Sequence, residues 1–145
     1  MEIDSVARLK DYSEVVITGG EPLLDVERTL EVINNIKAQN SNVKVYLHTA
    51  YYPGWQKLGQ VLRVVDGLSY TLHEGASEED IFNFTEVQDM ILDYPMKSFR
   101  LMVFQNNFEV IPVIPVAWNR IKIENPMNNC PLPANEDLFI CRTEG

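Results

Sequence analysis

Val15-Val16-Ile17-Thr18-Gly19-Gly20-Glu21-Pro22-Leu23-Leu24-Asp25 passes from a β-branched, apolar run into two glycines, a Glu-Pro pair and the start of an amphipathic segment. That order reads as a strand, a turn and a helix. The chemistry-bearing residues fall at the carboxyl end of the strand, where α/β folds keep their ligands. Two adjacent glycines permit positive φ and leave no Cβ between the main chain and a ligand, while Pro22 presets φ at the start of the helix. The turn is shaped to hold something.

Outward from this turn the same alternation repeats. Leu23, Val26, Leu30 and Ile33 recur at three- and four-residue steps, the pattern of a helix laying one face on a sheet, until Asn40-Ser41-Asn42 breaks it. Val43 to Thr49 is a second strand with the loop Tyr51-Tyr52-Pro53-Gly54 at its end. Trp55, Leu58, Val61, Leu62 and Val65 then mark a second helix, with Trp55 expected in its buried stripe and Asp66-Gly67 as its stop. Leu68 to His73 is a third strand, followed by Glu74-Gly75-Ala76. Ser77 and Asp80 form a capping box for a third helix whose buried stripe is Ile81, Phe84, Val87 and Ile91, ending before Pro95. Phe99 to Phe104 is a fourth strand.

The two ends are less regular. Ser5 to Tyr12 reads as a short helix with Val6 and Leu9 on one side. Phe108 to Trp118 is β-prone but carries Pro112 and Pro115, which cannot donate to a ladder, so an edge strand or an extended arm is expected there. Ile121-Lys122-Ile123 reads as a short last strand, and Pro126 to Gly145 as a loop-rich surface tail.

Strands separated by single helices make successive βα units, and right-handed crossovers turn these into a parallel sheet. The expected fold is α/β, a partial, open (βα) barrel of about four parallel strands with flanking helices and an irregular C-terminal extension. Residues 1–125 form the incomplete domain and 126–145 the tail. The first three strands end in Gly19-Gly20-Glu21, in His48-Thr49, and in Thr71 and His73, all at one end of the sheet.

Composition narrows the partners. A chain of 145 residues, 46% hydrophobic, supports one ordinary core. Its 12 basic and 21 acidic residues give a formal charge of -9, with Lys and Arg scattered, so no nucleic acid is expected. No apolar run reaches the ~20 residues of a bilayer span. Met1-Glu2-Ile3-Asp4 lacks the features of a signal peptide, so no membrane is expected and the cytoplasm is the default. Cys130 and Cys141 are too few for a disulfide scaffold and suit reduced thiols, with a single bridge between them as the alternative.

Several side chains at the strand ends carry potential chemistry. His48 and His73 end adjacent strands; a metal would need a third ligand such as Glu21 or Glu74, and hydrogen-bonded or half-exposed imidazoles that can serve as acid or base are the simpler expectation. Glu21 can cap the helix that follows it. Tyr51, Tyr52 and Trp55 can stack on a ring. Glu78-Glu79-Asp80 reads as a solvated first turn.

Thr18-Gly19-Gly20-Glu21-Pro22-Leu23-Leu24 at a strand end resembles the GGEP motif of the radical S-adenosylmethionine (SAM) superfamily. The spacing that follows agrees: a helix, a strand ending in Thr49, another helix, and Ser69-Tyr70-Thr71-Leu72-His73 in the place of that family's ligand-facing fourth strand. The likeness covers Val15 to about Phe104. It implies SAM as cofactor, bound at Thr18 to Pro22, with Gly19, Gly20 and Glu21 offering acceptors to the methionine ammonium, Pro22 fixing the turn, and Thr49, Thr71 and His73 facing the same cavity.

The chain departs from the family in one respect. The family's Cys-x3-Cys-x2-Cys, whose thiolates bind a 4Fe-4S cluster with one iron open to SAM, should lie upstream of GGEP, and no cysteine precedes Val15. The resemblance thus implies the SAM-binding part of a radical SAM-type enzyme, inactive alone, with the cluster present only if another chain or an N-terminal extension supplies it. The alternative is a non-catalytic interaction protein or pseudoenzyme on a decayed version of the fold. Without the first βα unit, the side of strand Val15 to Thr18 is an open edge, which implies a homodimer or a cluster-bearing partner chain. The small size resembles the ribonucleotide-reductase activases and the 7-carboxy-7-deazaguanine synthases. Cys130 and Cys141 are one thiolate short of the family's set; two chains together would offer four, enough for zinc or a 2Fe-2S cluster, but two ordinary thiols in a tail are expected.

Overall fold

The computed structural model describes residues 2–3, 12–124 and 140–141. The β-branched and aromatic runs form five parallel strands in one open sheet: β2 (Glu14–Ile17), β3 (Lys44–Thr49), β4 (Gly67–Leu72), β5 (Ser98–Phe104) and β6 (Arg120–Glu124), in that spatial order. Helices α1 (Val26–Gln39), α2 (Trp55–Val64) and α3 (Glu78–Ile91) occupy the first three crossovers, and neighbouring helices touch one another. A separate two-stranded parallel pair joins β1 (Glu2–Ile3) to β7 (Ile140–Cys141). The helix expected over Ser5 to Tyr12 lies outside the described residues except for Tyr12, and so does the 126–145 tail, with Cys130, apart from β7.

One face of the sheet carries the core. Val45, Leu47 and Thr49 of β3, Leu68, Tyr70 and Leu72 of β4, and Phe99, Leu101 and Val103 of β5 are all buried, alongside Ile33, Leu58, Leu62 and Phe84 from the helices. The alternate residues are exposed or half-buried: Lys44, Tyr46 and His48, then Ser69 and Thr71, then Arg100 and Met102. This period of two leaves the second face mixed among the described residues, its charged and hydroxyl side chains interspersed with Val16, Tyr46, Met102 and Phe104, although parallel sheets are usually covered on both sides.

Helix starts follow local chemistry. Ser77 Oγ accepts from the Asp80 N–H at 3.1 Å and Asp80 Oδ2 from the Ser77 N–H at 2.9 Å, the reciprocal box expected at the start of α3. The start of α1 has two stages, because a 3-10 turn, Pro22–Leu24, precedes it and Asp25 then caps the α-helix by accepting from the Arg28 N–H at 3.1 Å. Leu23 is buried by this turn and Leu24 is 70% exposed.

One expectation is corrected and two are refined. Trp55 is 66% exposed, not core, because it is the first residue of α2 and the apolar stripe begins one turn later at Leu58. Asp66-Gly67 is more than a helix stop. The Asp66 carboxylate accepts from Lys37 Nζ at 2.9 Å and the Val45 N–H at 2.8 Å, tying α1 to β3, and Gly67 is the first residue of β4, where a Cβ would stand 2.1 Å from the Ser98 carbonyl oxygen. Finally, of the edge strand or extended arm expected over 108–118, the arm is the form taken, following a short α4 (Gln105–Phe108) and containing a 3-10 turn, Pro115–Ala117. Buried Gln88 of α3 holds the arm by donating to the Pro112 carbonyl at 2.9 Å and accepting from the Ile114 N–H and Trp118 Nε1. The arm's polar groups are thereby satisfied against a helix, which a proline-bearing strand in the ladder could not have achieved. Among the described residues no helix is long and apolar enough to cross a membrane.

Candidate functional site

The carboxyl ends of β2, β3 and β4 converge on an open pocket of about 540 Å³. That size suits a small-molecule ligand. Thr18, Gly20 and Glu21 come from the first strand end, His48 and Thr49 from the second, and Thr71 and His73 from the third. Parallel pairing in this register brings them together: Ile17 ends β2 opposite Leu47, Thr49 ends β3 opposite Tyr70, and each strand then hands over to a loop on the same side of the sheet.

Gly19 and Gly20 have φ of 79° and 52°, the left-handed region that favours glycine, and no described atom lies within 4 Å of where a Cβ would stand on either. Their freedom answers a backbone requirement, and it leaves the main chain of the turn open toward the pocket. Pro22 occupies the first position of the 3-10 turn, and its carbonyl accepts from the Thr29 hydroxyl at 2.6 Å, which anchors the turn to α1.

The Glu21 carboxylate is committed to the protein. One oxygen accepts from the Leu23 N–H at 2.9 Å and the Thr49 hydroxyl at 2.7 Å, and the other from the Ala50 N–H at 2.8 Å. It caps the 3-10 turn, as expected of a carboxylate at a helix start, and also fastens β2 to the end of β3. Thr49, 5% exposed, passes the constraint on by accepting from the Tyr51 N–H at 3.1 Å. Glu21 and Thr49 thus act on the pocket through its shape. His48, His73 and Thr18 are exposed and Thr71 half-buried, so these side chains are accessible from the pocket. Asn107 of α4 reaches the same rim, donating to the His73 carbonyl at 2.6 Å.

Tyr51 lines this pocket, and Tyr51 and Tyr52 line a smaller neighbour of about 240 Å³ beside the first turn of α3; Trp55 lines neither. Burial pushes the pKa of the Tyr70 phenol, which borders the smaller pocket, well above its ordinary value, and the Asp80 and Glu21 carboxylates add to that effect, so the hydroxyl keeps its proton. Sequence reasoning did not single out Ala50, whose N–H completes the grip on Glu21, or Leu24 as an exposed apolar rim. Neither carries a local signal beyond its place next to a strand end.

Fold and site together define an α/β protein with a ligand-sized pocket at the carboxyl ends of its strands. The family model described as "4Fe-4S single cluster domain" matches residues 2–88, and the chain belongs to that family. No curated protein matches the chain. The family sets an iron–sulfur context, but the matched residues contain no cysteine, and the chain's two, Cys130 and Cys141, are fewer than the three thiolates of a single-cluster site. Among the described residues no group of three or more His, Cys, Asp or Glu side chains is arranged to hold a metal, so His48 and His73 are not joined by Glu21 or Glu74 in such a set. The residues of this chain do not fit a 4Fe-4S cluster.

Proposed function

We propose that this chain is the SAM-binding part of a radical SAM-type enzyme whose 4Fe-4S cluster is supplied by another chain. The observation that carries the reading is the Thr18-Gly19-Gly20-Glu21-Pro22 turn, with both glycines at positive φ and Thr18, Gly20 and Glu21 lining a pocket at the strand ends. In this reading the methionine ammonium of SAM is held by acceptors of the turn, Thr71 and His73 face the rest of the ligand, and Glu21, Thr49 and Pro22 position the backbone that makes the contact. In this reading the protein works in the cytoplasm, where Cys130 and Cys141 would be kept as thiols. The open side of β2, where Val16 is 45% exposed, is the edge on which a cluster-bearing partner or a second copy would dock.

A second reading, a non-catalytic interaction protein on the same fold, is favoured by one observation: residues 2–88 match an iron–sulfur family yet hold no cysteine. Titration calorimetry with SAM separates the two. Saturable binding by the purified chain, alone or with the product of the neighbouring gene, is expected. Absence of binding in both arms, from a chain that circular dichroism shows to be folded, would refute the enzyme reading. Sedimentation of the same samples tests the edge, and a monomer in both arms would remove the partner from the proposal.

A further inference from the structure

Arg100 of β5 and Arg120 of β6 are direct register partners. Both are exposed, and among the described residues neither makes a hydrogen bond or an ion pair. Like charges directly opposite each other disfavour the pairing of their strands. The chain has 21 acidic residues against 12 basic ones, so a carboxylate neighbour would be the commoner outcome of chance. Lys122, two residues along the same strand face, has such a neighbour in Glu124 at 2.9 Å. Protection of a sheet edge does not account for the pair either. Charge on β6 would deter edge-to-edge association, but β5 lies inside the sheet between β4 and β6.

The same row runs back to the pocket. Ser69 is the register partner of Arg100, and His48, a pocket residue, is the register partner of Ser69. The Ser69 side chain is half-buried and its hydroxyl has no hydrogen-bond partner among the described residues. Tyr46 lies beside the row on this face, its ring against Gly67; burial and the Glu14 and Asp66 charges push its phenol up, and the Arg100 charge partly opposes them. Arg100, Arg120 and Ser69, whose side-chain donors bond to no described residue, are therefore aligned on one face of a strongly acidic protein.

The geometry points to an oxyanion-binding row: Arg100 and Arg120 hold a carboxylate or phosphate group of a small ligand, Ser69 adds a hydroxyl donor, and the rest of the ligand extends toward His48. Strands lie about 4.8 Å apart, so the three steps from β3 to β6 span roughly 14 Å, within reach of a single extended metabolite. Two guanidinium groups present planar forks suited to paired oxygens, and a bound anion relieves their mutual repulsion. The inference rests on strand register and unpaired charge, and it stands or falls independently of SAM binding.

The test uses the full chain, labelled for detection of arginine Nε–H signals by NMR at low ionic strength, with inorganic phosphate and acetate as probes. Saturable shifts of the Arg100 and Arg120 signals at one common concentration are expected. Arg100→Gln and Arg120→Gln should each weaken binding about tenfold, the loss of one charged hydrogen-bonding partner, while Arg63→Gln, at an exposed position of α2, should leave it unchanged. Tighter binding of phosphate assigns the row to phosphorylated ligands, and tighter binding of acetate to carboxylates. Shifts of equal size and midpoint in wild type, Arg100→Gln and Arg63→Gln, or no saturable shift at all, would overturn the site.

Discussion

Replacing Glu21 by alanine removes three hydrogen bonds from a single carboxylate: those from the Leu23 N–H, the Thr49 hydroxyl and the Ala50 N–H. Bonds to a charged group contribute about 1.5–3 kcal/mol each, but Glu21 is half-buried and water can reach part of what is vacated. The Thr49 hydroxyl has a poorer alternative in the Tyr51 carbonyl at 3.4 Å. With that discount the expected loss is about 2–4 kcal/mol. For a chain of this size, near 3 °C per kcal/mol, the melting temperature should fall by roughly 6–12 °C. Glu21→Gln keeps the shape and one oxygen but turns an NH2 toward a donor, so about 1–2 kcal/mol is expected. Thermal unfolding followed by circular dichroism gives the order wild type, Gln, Ala. A cycle with Thr49→Val should reveal coupling of about 1 kcal/mol, since the two side chains touch. An alanine variant within about 0.5 kcal/mol of wild type would refute the reasoning, because a carboxylate that clamps two strand ends cannot be removed without cost.

Two further outcomes follow from the packing around Asp66. Burial disfavours its charged form, but hydrogen bonds from Lys37 and the Val45 N–H, with the Lys37 and Lys44 charges, outweigh this and hold the carboxyl below its ordinary 3.8. A carboxylate with a lower pKa when folded stabilises the protein above its unfolded pKa, and that contribution disappears as pH falls through the folded value. Urea unfolding from neutral pH downward should therefore show a shallower acid decline for Asp66→Asn than for wild type below about pH 4; parallel curves would contradict the assignment. At the next residue, Gly67→Ala sets a Cβ 2.1 Å from the Ser98 carbonyl oxygen and 2.8 Å from the Tyr46 ring, and the carbonyl belongs to the main chain of the sheet. A loss of about 3 kcal/mol is expected, whereas Gly59→Ala in α2, whose Cβ meets only Met90 Cε at 3.9 Å, should be neutral or stabilise by about 0.5–1 kcal/mol. Equal effects in denaturant melts would refute the contrast.

The elements were legible wherever their cause was local. Period-two and period-3.6 patterns place β3, β4, β5, α2 and α3 closely and α1 apart from its start, where Pro22–Leu24 form a separate 3-10 turn, and the Ser77–Asp80 box and the glycine turn at Gly19-Gly20 rest on chemistry within a few residues of chain. Trp55 was misplaced because period cannot say where along a helix the sheet begins to cover it. The arm at 108–118 was undecided because its partner, Gln88, lies more than twenty residues away.

The candidate site divides in the same way. That Gly20, Glu21, His48, Thr49, Thr71 and His73 share one pocket could be read from strand ends, since parallel strands of similar length must deliver their last residues to one side. What each side chain does there was decided by neighbours 28 and 29 residues distant: Thr49 and Ala50 engage the Glu21 carboxylate, a commitment that no local pattern encodes. The facing of Arg100 and Arg120 is of the same kind, because strand register depends on how the whole sheet is packed. Sequence alone determined where this protein turns, which residues its strand ends offer, and that it holds no cluster cysteines within residues 2–88. Only the tertiary structure decided which of those groups are consumed in holding the fold and which are left facing a ligand, because hydrogen bonds and charges are satisfied by proximity in space.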